Sequence, residues 1–565
     1  MRWMSDDRTL QFFPALAMIM FAACAAPQGP AETTSEASLD EALQSIQGED
    51  LLAAVKTLSS DEFEGRGPSS PGEEKTINYL QDEFIRMGLK PGNGETFVQE
   101  VPLVALTADP SVSLKIDGGS GMSSYRYGPE FMAWSKRVAG KNELDGSDMV
   151  FVGYGAVAPE YGWDDYAGVD VKGKTVVILV NDPGFATKDE SLFNGNAMTY
   201  YGRWTYKFEE AARQGAAGAF IVHETEPAAY PWEVVEGSWR GEQFSLVPED
   251  NNMSRAAIEG WFTVDTARSI FKQAGLNYDT LRDQASKRGF EPVPMKVKAS
   301  ASLKNSIRRS TSSNVLALLS GTERPDEYVI YMAHWDHLGR DATLEGDQIY
   351  NGAFDNATGI ANLLELAEAF VSLEQGPARS VVFFATTAEE QGLLGSAYYA
   401  EHPIYPAQKT VAAINMDGAN IWGSMRDITV VGYGMSELDD YLKEAAATQE
   451  RVVRPDPEPE KGFYYRSDHF ELAKKGIPAL YTDSGIDHVE HGEEWGMAQR
   501  DAYTSERYHK PNDEFDPNWD MAGAVDDVRL FFRVGYRLAG ENSFPNWREG
   551  TEFKAVRDAT MASLR

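Results

Sequence analysis

The hydrophobic pattern changes period along the chain. Between Leu43 and Leu89 it is largely helical: in INYLQDEFIRMGL, Ile77, Leu80, Phe84, Ile85 and Leu89 recur at three- and four-residue steps and Gly88 marks an end, which predicts an amphipathic helix laid on a core. From about 145 to 294 the pattern becomes short apolar runs, such as MVFVGYG and TVVILVND, separated by Gly- and Asp-rich turns, with one helical segment around Phe208–Gln214. This texture predicts an inserted, β-rich domain. From Asn314 onward the apolar runs VLALLS, YVIYMA, SVVFFATT, TVAAINM, DITVVG and IPALYTD alternate with helical segments, and Ile360, Leu363, Leu364, Ala367, Phe370 and Val371 stripe one face of TGIANLLELAEAFVS. Alternation of this kind builds crossover units. The expected fold class is therefore α/β, a mainly parallel or mixed twisted sheet flanked by helices, interrupted by the β-rich insertion.

The N-terminus reads differently. Leu10 to Phe21 is an apolar run of signal-peptide length, too short for a comfortable membrane span. It leads into Phe21-Ala22-Ala23-Cys24, which resembles a bacterial lipoprotein cleavage box, although the leading MRWMSDDRT is acidic where a signal is basic and Phe21 replaces the more usual Leu. The expectation is a signal peptide over 1–24 with Cys24 lipidated, and a flexible tether over 25–40 rich in Pro, Ala, Ser and Thr. The N-terminal part of the main domain is expected over 41–140, the insertion over 141–295, the remainder of the main domain over 296–545 and a tail over 546–565. Such a protein would be exported, either anchored at the periplasmic face of a bacterial membrane through Cys24 alone or free in the periplasm or medium.

Charge and cysteine count narrow the chemistry. With 52 Lys and Arg against 87 Asp and Glu, the net charge of −35 repels a phosphate backbone and argues against a nucleic-acid partner. Cys24 is the single cysteine of the 565 residues. No intramolecular disulfide or cysteine zinc site is possible, and any metal must be held by His, Asp and Glu.

Those residue types collect at strand ends. YVIYMA runs into His334-Trp335-Asp336, SVVFFATT into Ala388-Glu389-Glu390, and TVAAINM into Asp417-Gly418; in an open parallel α/β sheet, ligands bind beyond the carboxyl ends of the strands. Seven of the eight histidines lie between His334 and His509. His334, Asp355, Glu390, Asp417 and His509 are five nitrogen and oxygen donors of the kind that suit two zinc ions sharing a carboxylate. Asp355 could instead cap the helix that follows it. Glu389, adjacent to Glu390 and pointing another way, could belong with it to a solvated acidic face or act as a general base. Asp336 lies on the same side of an extended chain as His334 and could hydrogen-bond its second ring nitrogen. His337 should point away from the site if His334 points in. His402, His469, His488 and His491 have no such placement, and the tract from Asp487 to His509 reads as a mobile loop beside the cleft.

The segments AHWDHLG, NGAFDNATG, TTAEEQGLLGS, INMDG and RYHKPNDEFD, in this order, resemble the dizinc aminopeptidases of metallopeptidase family M28. LSSDEFEGRGPSSPGEE is similar to that family's opening, and YAGVDVKGKTVVILVNDPG with AARQGAAGAFIVH resembles the protease-associated domain often inserted there. The resemblance implies a zinc aminopeptidase fold and two Zn2+ ions. It makes His334 and Asp417 ligands of one zinc, Glu390 and His509 ligands of the other, and Asp355 the bridge. It also implies Glu389 as the base, Tyr508 as a phenol able to stabilise an oxyanion, and peptides with a free N-terminus as substrates. A carboxypeptidase or glutaminyl cyclase on the same fold, or a non-catalytic receptor-like protein, are the alternatives.

Overall fold

The computed structural model describes residues 31–109 and 111–562. Cys24, the signal segment and the lipid anchor expected there lie outside the described residues. Within the tether expected over 25–40, the chain is helical from Ala31, in a helix spanning Ala31–Ser45. Ala42 and Leu43 of that helix are buried in the main core.

The main sheet is mixed. Its central strands Arg379–Thr386, Arg324–His334, Thr410–Asn415 and Ala479–Asp483 lie side by side and parallel. Every residue of Arg379–Thr386 and of Thr410–Asn415 is buried, as a parallel strand covered on both faces requires. One face packs against the helices Gly48–Leu58, Pro71–Arg86, Gly359–Val371 and Ala522–Gly540. The other carries His469–Lys474 and Leu394–Glu401.

Two of the expected parallel strands run the other way. VLALLS is the end of a 27-residue strand, Val293–Leu319, that pairs antiparallel with Arg379–Thr386. DITVVG forms Asp427–Val430, antiparallel to Ala479–Asp483.

The long strand joins the two halves of the molecule. Its first part pairs with Lys141–Phe151 and Ser113–Gly118 in a second sheet, and its second part pairs with Val98–Ala108 and then with the main sheet. The second sheet has its own core, running from Val112 through Phe151, Phe220 and Phe262 to Leu303. This second core draws on residues 112 to 303, among them the stretch expected as an insertion over 141–295. Which of two alternating strands joins which sheet is decided by pairing partners distant in sequence, and alternation alone does not report them.

The expected tail over 546–565 is part of the fold. Trp547 is buried and donates to the Gly476 carbonyl (3.0 Å), and the buried Arg557 on the helix Lys554–Ala562 donates to the carbonyls of Ala407, Thr410 and Val411. The tract expected as a mobile loop contains a 14-residue helix, Glu493–Glu506. No helix among the described residues is long and apolar enough to cross a membrane.

Candidate active site

Three adjacent parallel strands end at one edge, and each delivers a polar group there. His334 is the last residue of Arg324–His334, Glu389 and Glu390 follow Arg379–Thr386, and Asp417 follows Thr410–Asn415. Asp355 arrives from the turn before the helix Gly359–Val371, and His509 from the turn after Glu493–Glu506. His334 Nε2 lies 3.2 Å from Asp417 Oδ1 and 3.4 Å from Asp355 Oδ1. His509 Nε2 lies 3.3 Å from Asp355 Oδ2 and 3.0 Å from Glu390 Oε2. Asp355 thus turns one oxygen toward each histidine.

Four carboxylates share this small volume, and their ionisation reflects it. Burial works against the charged form of Asp355, but hydrogen bonds from His334 and His509 overcome it and hold the carboxyl well below its usual range. Burial and Asp355 oppose ionisation of Glu390, yet His509 and His337 bring it down to about 2. Glu389 behaves oppositely. Burial, with the charges of Asp417 and Glu390, pushes it well above the usual carboxylate range despite His334 nearby. Neighbouring glutamates driven apart in this way are what a division between holding charge and moving protons needs.

The donors fit a divalent metal. With Nδ1 directed at the backbone carbonyl of Asp336 (3.1 Å), His334 turns Nε2 toward two carboxylate oxygens, an arrangement that calls for positive charge among them, from a proton on Nε2 or from a cation bound in its place. Ligand atoms at zinc's usual 2.0–2.1 Å, tetrahedrally arranged, lie about 3.3 Å apart, close to the four nitrogen–oxygen separations above. Ligand atoms of His334, Asp355 and Asp417 form one group close enough to share an ion, and those of His337, Asp355 and Glu390 form another.

That second group corrects the expectation for His337. The ring does not point away: it is fully buried, and Nδ1 donates to Glu390 Oε1 at 2.6 Å. The strand ends at His334, so alternation no longer governs three residues later. Asp336 is also corrected. Its carboxylate stands 3.8 Å from His334 Nδ1, and its Oδ1 instead accepts the Glu389 N–H (3.0 Å). Asp355 is not the helix cap, because Asn356 Oδ1 accepts from Gly359 N (2.9 Å). Tyr508 stacks on His509 with ring centroids 3.9 Å apart and is 46% exposed.

Several supporting residues went unassigned in the sequence. Asn356, beside Asp355, also accepts the Gly418 N–H (2.8 Å) and donates to the Met416 carbonyl (3.0 Å), clamping the turn that bears Asp417. A Cβ on Gly359 would stand 2.2 Å from Asn356 Oδ1, so the NATG run keeps glycine there. Asp513 accepts the backbone N–H groups of Phe354 and Asp355 (both 3.0 Å), tying the His509 turn to the Asp355 turn. Arg66 is buried and donates to the carbonyls of Trp335 (2.9 Å), Leu58 (2.8 Å), Asn351 (2.6 Å) and Gly352 (2.8 Å). It holds the opening helices against the segments that carry His334 and Asp355. Asp468 accepts from Thr386 and from Ser396 (2.5 Å) beneath the strand ends. All lie inside the conspicuous segments DEFEGRG, FDNATG, RSDH and KPNDEFD, but only their partners reveal their use.

A strand-end cluster of His, Asp and Glu on this mixed sheet defines a metallopeptidase-type domain. Residues 314–532, which carry the sheet and its cluster, match the model of peptidase family M28. Over 137 residues the chain is 38% identical to the mouse aminopeptidase NAALADL1 from Mus musculus, covering 23% of this chain and 17% of the mouse protein. Over 319 residues it is 34% identical to a glutamate carboxypeptidase 2 homolog of Caenorhabditis elegans, covering 48% of this chain and 37% of the nematode protein. The chain thus spans well under half the length of these curated relatives. In structure it is similar to an aminopeptidase from Aneurinibacillus sp. strain AM-1, with a TM-score of 0.50 and 20% identity, covering 90% of this chain and 97% of the other.

Proposed function

We propose that the protein is a zinc-dependent exopeptidase that removes N-terminal residues from peptides, with two Zn2+ ions held by His334, Asp355, Asp417, Glu390 and His509. The observation that carries this reading is the Asp355 carboxylate, which offers one oxygen to a His334–Asp417 group and the other to a His509–Glu390 group. A divalent metal held there supplies the Lewis acidity that amide hydrolysis requires.

The chain's own residues supply the rest. Asp336 and the strand end fix the Glu389 backbone, and the raised affinity of Glu389 for a proton suits it to take one from the attacking water and return it to the departing amine. Tyr508, beside His509, is within the family pattern for donating to the oxyanion. The excess of carboxylate over cation at this edge favours a substrate that brings a positive charge, such as a free α-amino group. The match to the glutamate carboxypeptidase 2 homolog supports carboxypeptidase activity as the second reading.

The test is hydrolysis of aminoacyl chromogenic amides, free and N-acetylated, with and without a chelator. Chelator-sensitive cleavage restricted to free amino termini supports the aminopeptidase. Cleavage indifferent to N-acetylation overturns it, and no cleavage by zinc-loaded protein overturns the aminopeptidase in favour of the carboxypeptidase, cyclase or binding readings.

A further inference from the structure

Two histidines hold Glu390, one on each carboxylate oxygen, and the fold secures them differently. His509 Nε2 meets Oε2 at 3.0 Å from the turn after the helix Glu493–Glu506, with its side chain 37% exposed. His337 Nδ1 meets Oε1 at 2.6 Å and is fully buried. The other histidines outside the proposed ligand set are engaged away from the cluster. His488 Nδ1 accepts from the N–H groups of Glu490 (3.1 Å) and His491 (3.0 Å), and His491 stacks on His488. His402 Nδ1 donates to the Tyr398 carbonyl (3.3 Å), His223 Nε2 to the Tyr230 carbonyl (3.0 Å), and His469 packs between the rings of Tyr464 and Tyr481.

The His337 ring is seated by backbone from three segments. Its own N–H donates to the Arg66 carbonyl (3.3 Å), and the Arg66 guanidinium donates in turn to the carbonyls of Trp335 (2.9 Å) and Gly352 (2.8 Å). Gly352 lies against the ring: a Cβ there would stand 2.6 Å from its Cγ and Cδ2. The His509 ring stands edge-on to it, with centroids 5.9 Å apart. Nε2 has no hydrogen-bond partner among the described residues, so the bond to Glu390 is the polar contact that this seating serves.

An N–H this close to a carboxylate forms a charge-assisted hydrogen bond at the short end of the range. The 2.6 Å separation is well under the roughly 3.3 Å between ligand atoms arranged tetrahedrally around zinc. Nδ1 and Oε1 are therefore donor and acceptor, and not two ligands of one ion. With Oε1 engaged, Oε2 is the oxygen left beside His509 Nε2 and, through it, Asp355 Oδ2.

We propose that His337 is a positioning residue of this second metal group: by holding Oε1 it limits Glu390 to one metal-facing oxygen, so that a position on the ion stays open. An open position is what separates a catalytic zinc site from a structural one, and partners behind the ligands set ligand orientation and metal affinity. This inference rests on the dizinc reading.

The test compares His337→Leu, which keeps much of the side chain's bulk and loses the donor, with His337→Asn, which places an N–H where Nδ1 stands. Calorimetric titration of the metal-free full chain with zinc should give two steps in the parent. One of them should weaken by about 10- to 100-fold in His337→Leu and recover most of its affinity in His337→Asn. With cobalt in place of zinc, His337→Leu should lose intensity in the visible bands as Glu390 turns both oxygens to the ion and its coordination number rises, and His337→Asn should keep that intensity. If His337→Leu does not fold, His337→Ala replaces it with the same expectations. Equal weakening of both steps, no weakening, unaltered cobalt bands or failure of His337→Asn to recover overturns the proposal. Outright loss of one ion in His337→Leu makes His337 a ligand and also overturns it. A parent that takes up no zinc overturns the dizinc reading and this role together, whereas two parental steps that His337→Leu leaves unchanged overturn this role alone. A single parental step overturns the count of two ions, and the same comparison made on that step still decides the role of His337.

Discussion

The peptidase domain and the insertion each bury a cluster of carboxylates, and they stabilise them in opposite ways. In the insertion, Asp182 accepts from the N–H groups of Gly184 (3.0 Å), Phe185 (3.3 Å) and Thr199 (3.0 Å) and from the Thr199 hydroxyl (2.8 Å). Asp165 accepts from Ala156 N (3.0 Å) and Trp163 Nε1 (2.8 Å). Lys207, fully buried, donates to the carbonyls of Tyr154 (2.5 Å) and Asn181 (2.8 Å), and its charge acts on both carboxylates although burial brings it down to about 7. Hydrogen-bond donors are provided from within. At the peptidase edge, Asp355, Glu390 and Asp417 face each other with histidines as their main partners, and acid outnumbers base. A buried charge cluster that completes itself holds a fold together, and one that is left short of cations is built for something the chain does not contain.

The largest effects should come from the incomplete cluster. Glu389→Gln is expected to cut turnover by about 10²- to 10⁴-fold while metal content, read by elemental analysis, stays near that of the parent. Asp355→Ala should lose both metals and, with them, the stabilisation that ligand binding confers, about 4 kcal/mol at a metal concentration a thousand times Kd. A chelator should lower the parent's thermal midpoint and leave that of Asp355→Ala where it was. Equal loss of metal in both variants would show that Glu389 is a ligand and not the base.

The self-contained cluster should respond without regard to metal. Lys207→Met removes the donor to the Tyr154 and Asn181 carbonyls and the positive charge near Asp165 and Asp182, which is expected to cost about 1–3 kcal/mol in denaturant unfolding. Metal content should not change. Loss of zinc in this variant would mean that the two clusters are coupled through the docking of the insertion, and the contrast drawn above would not hold.

The same contrast explains what the sequence disclosed. His334, Glu390 and Asp417 were legible because an apolar run that stops at a polar residue is a local signal, and the sheet places such stops on one edge. His337 was misjudged because strand alternation was carried past the strand's last residue. The carboxylate of Asp336 was given the job that its own backbone carbonyl does. Arg66 and Asp513 depend mainly on partners more than a hundred residues away, and no periodicity records such partners. The reach of the second sheet is not legible in the texture, since Ser113–Gly118 and Val98–Ala108 look alike until the long strand Val293–Leu319 pairs them into different sheets.

A third kind of buried acid gives the smallest effect and the sharpest sign. Glu365, on the helix Gly359–Val371, is 7% exposed and accepts from Gln47 N (3.1 Å), with no cation beside it in an ion pair among the described residues. Burial, with Asp50 and Glu368 adding, pushes its carboxyl up from 4.5 to about 7. Between those pH values the folded chain holds a proton that the unfolded chain has released, so this group's contribution to stability is full below about pH 4.5 and is lost as pH rises through 7. Glu365→Gln keeps a carbonyl for Gln47 and removes the titration. At pH 8 the variant should be more stable than the parent by about 1 kcal/mol or somewhat more, and at pH 4.5 the gain should vanish, as read from urea midpoints at the two pH values. A gain that is the same at both would mean that the acid's cost is not one of ionisation, and Glu365 would then belong with the carboxylates of the insertion, whose charges are met from within.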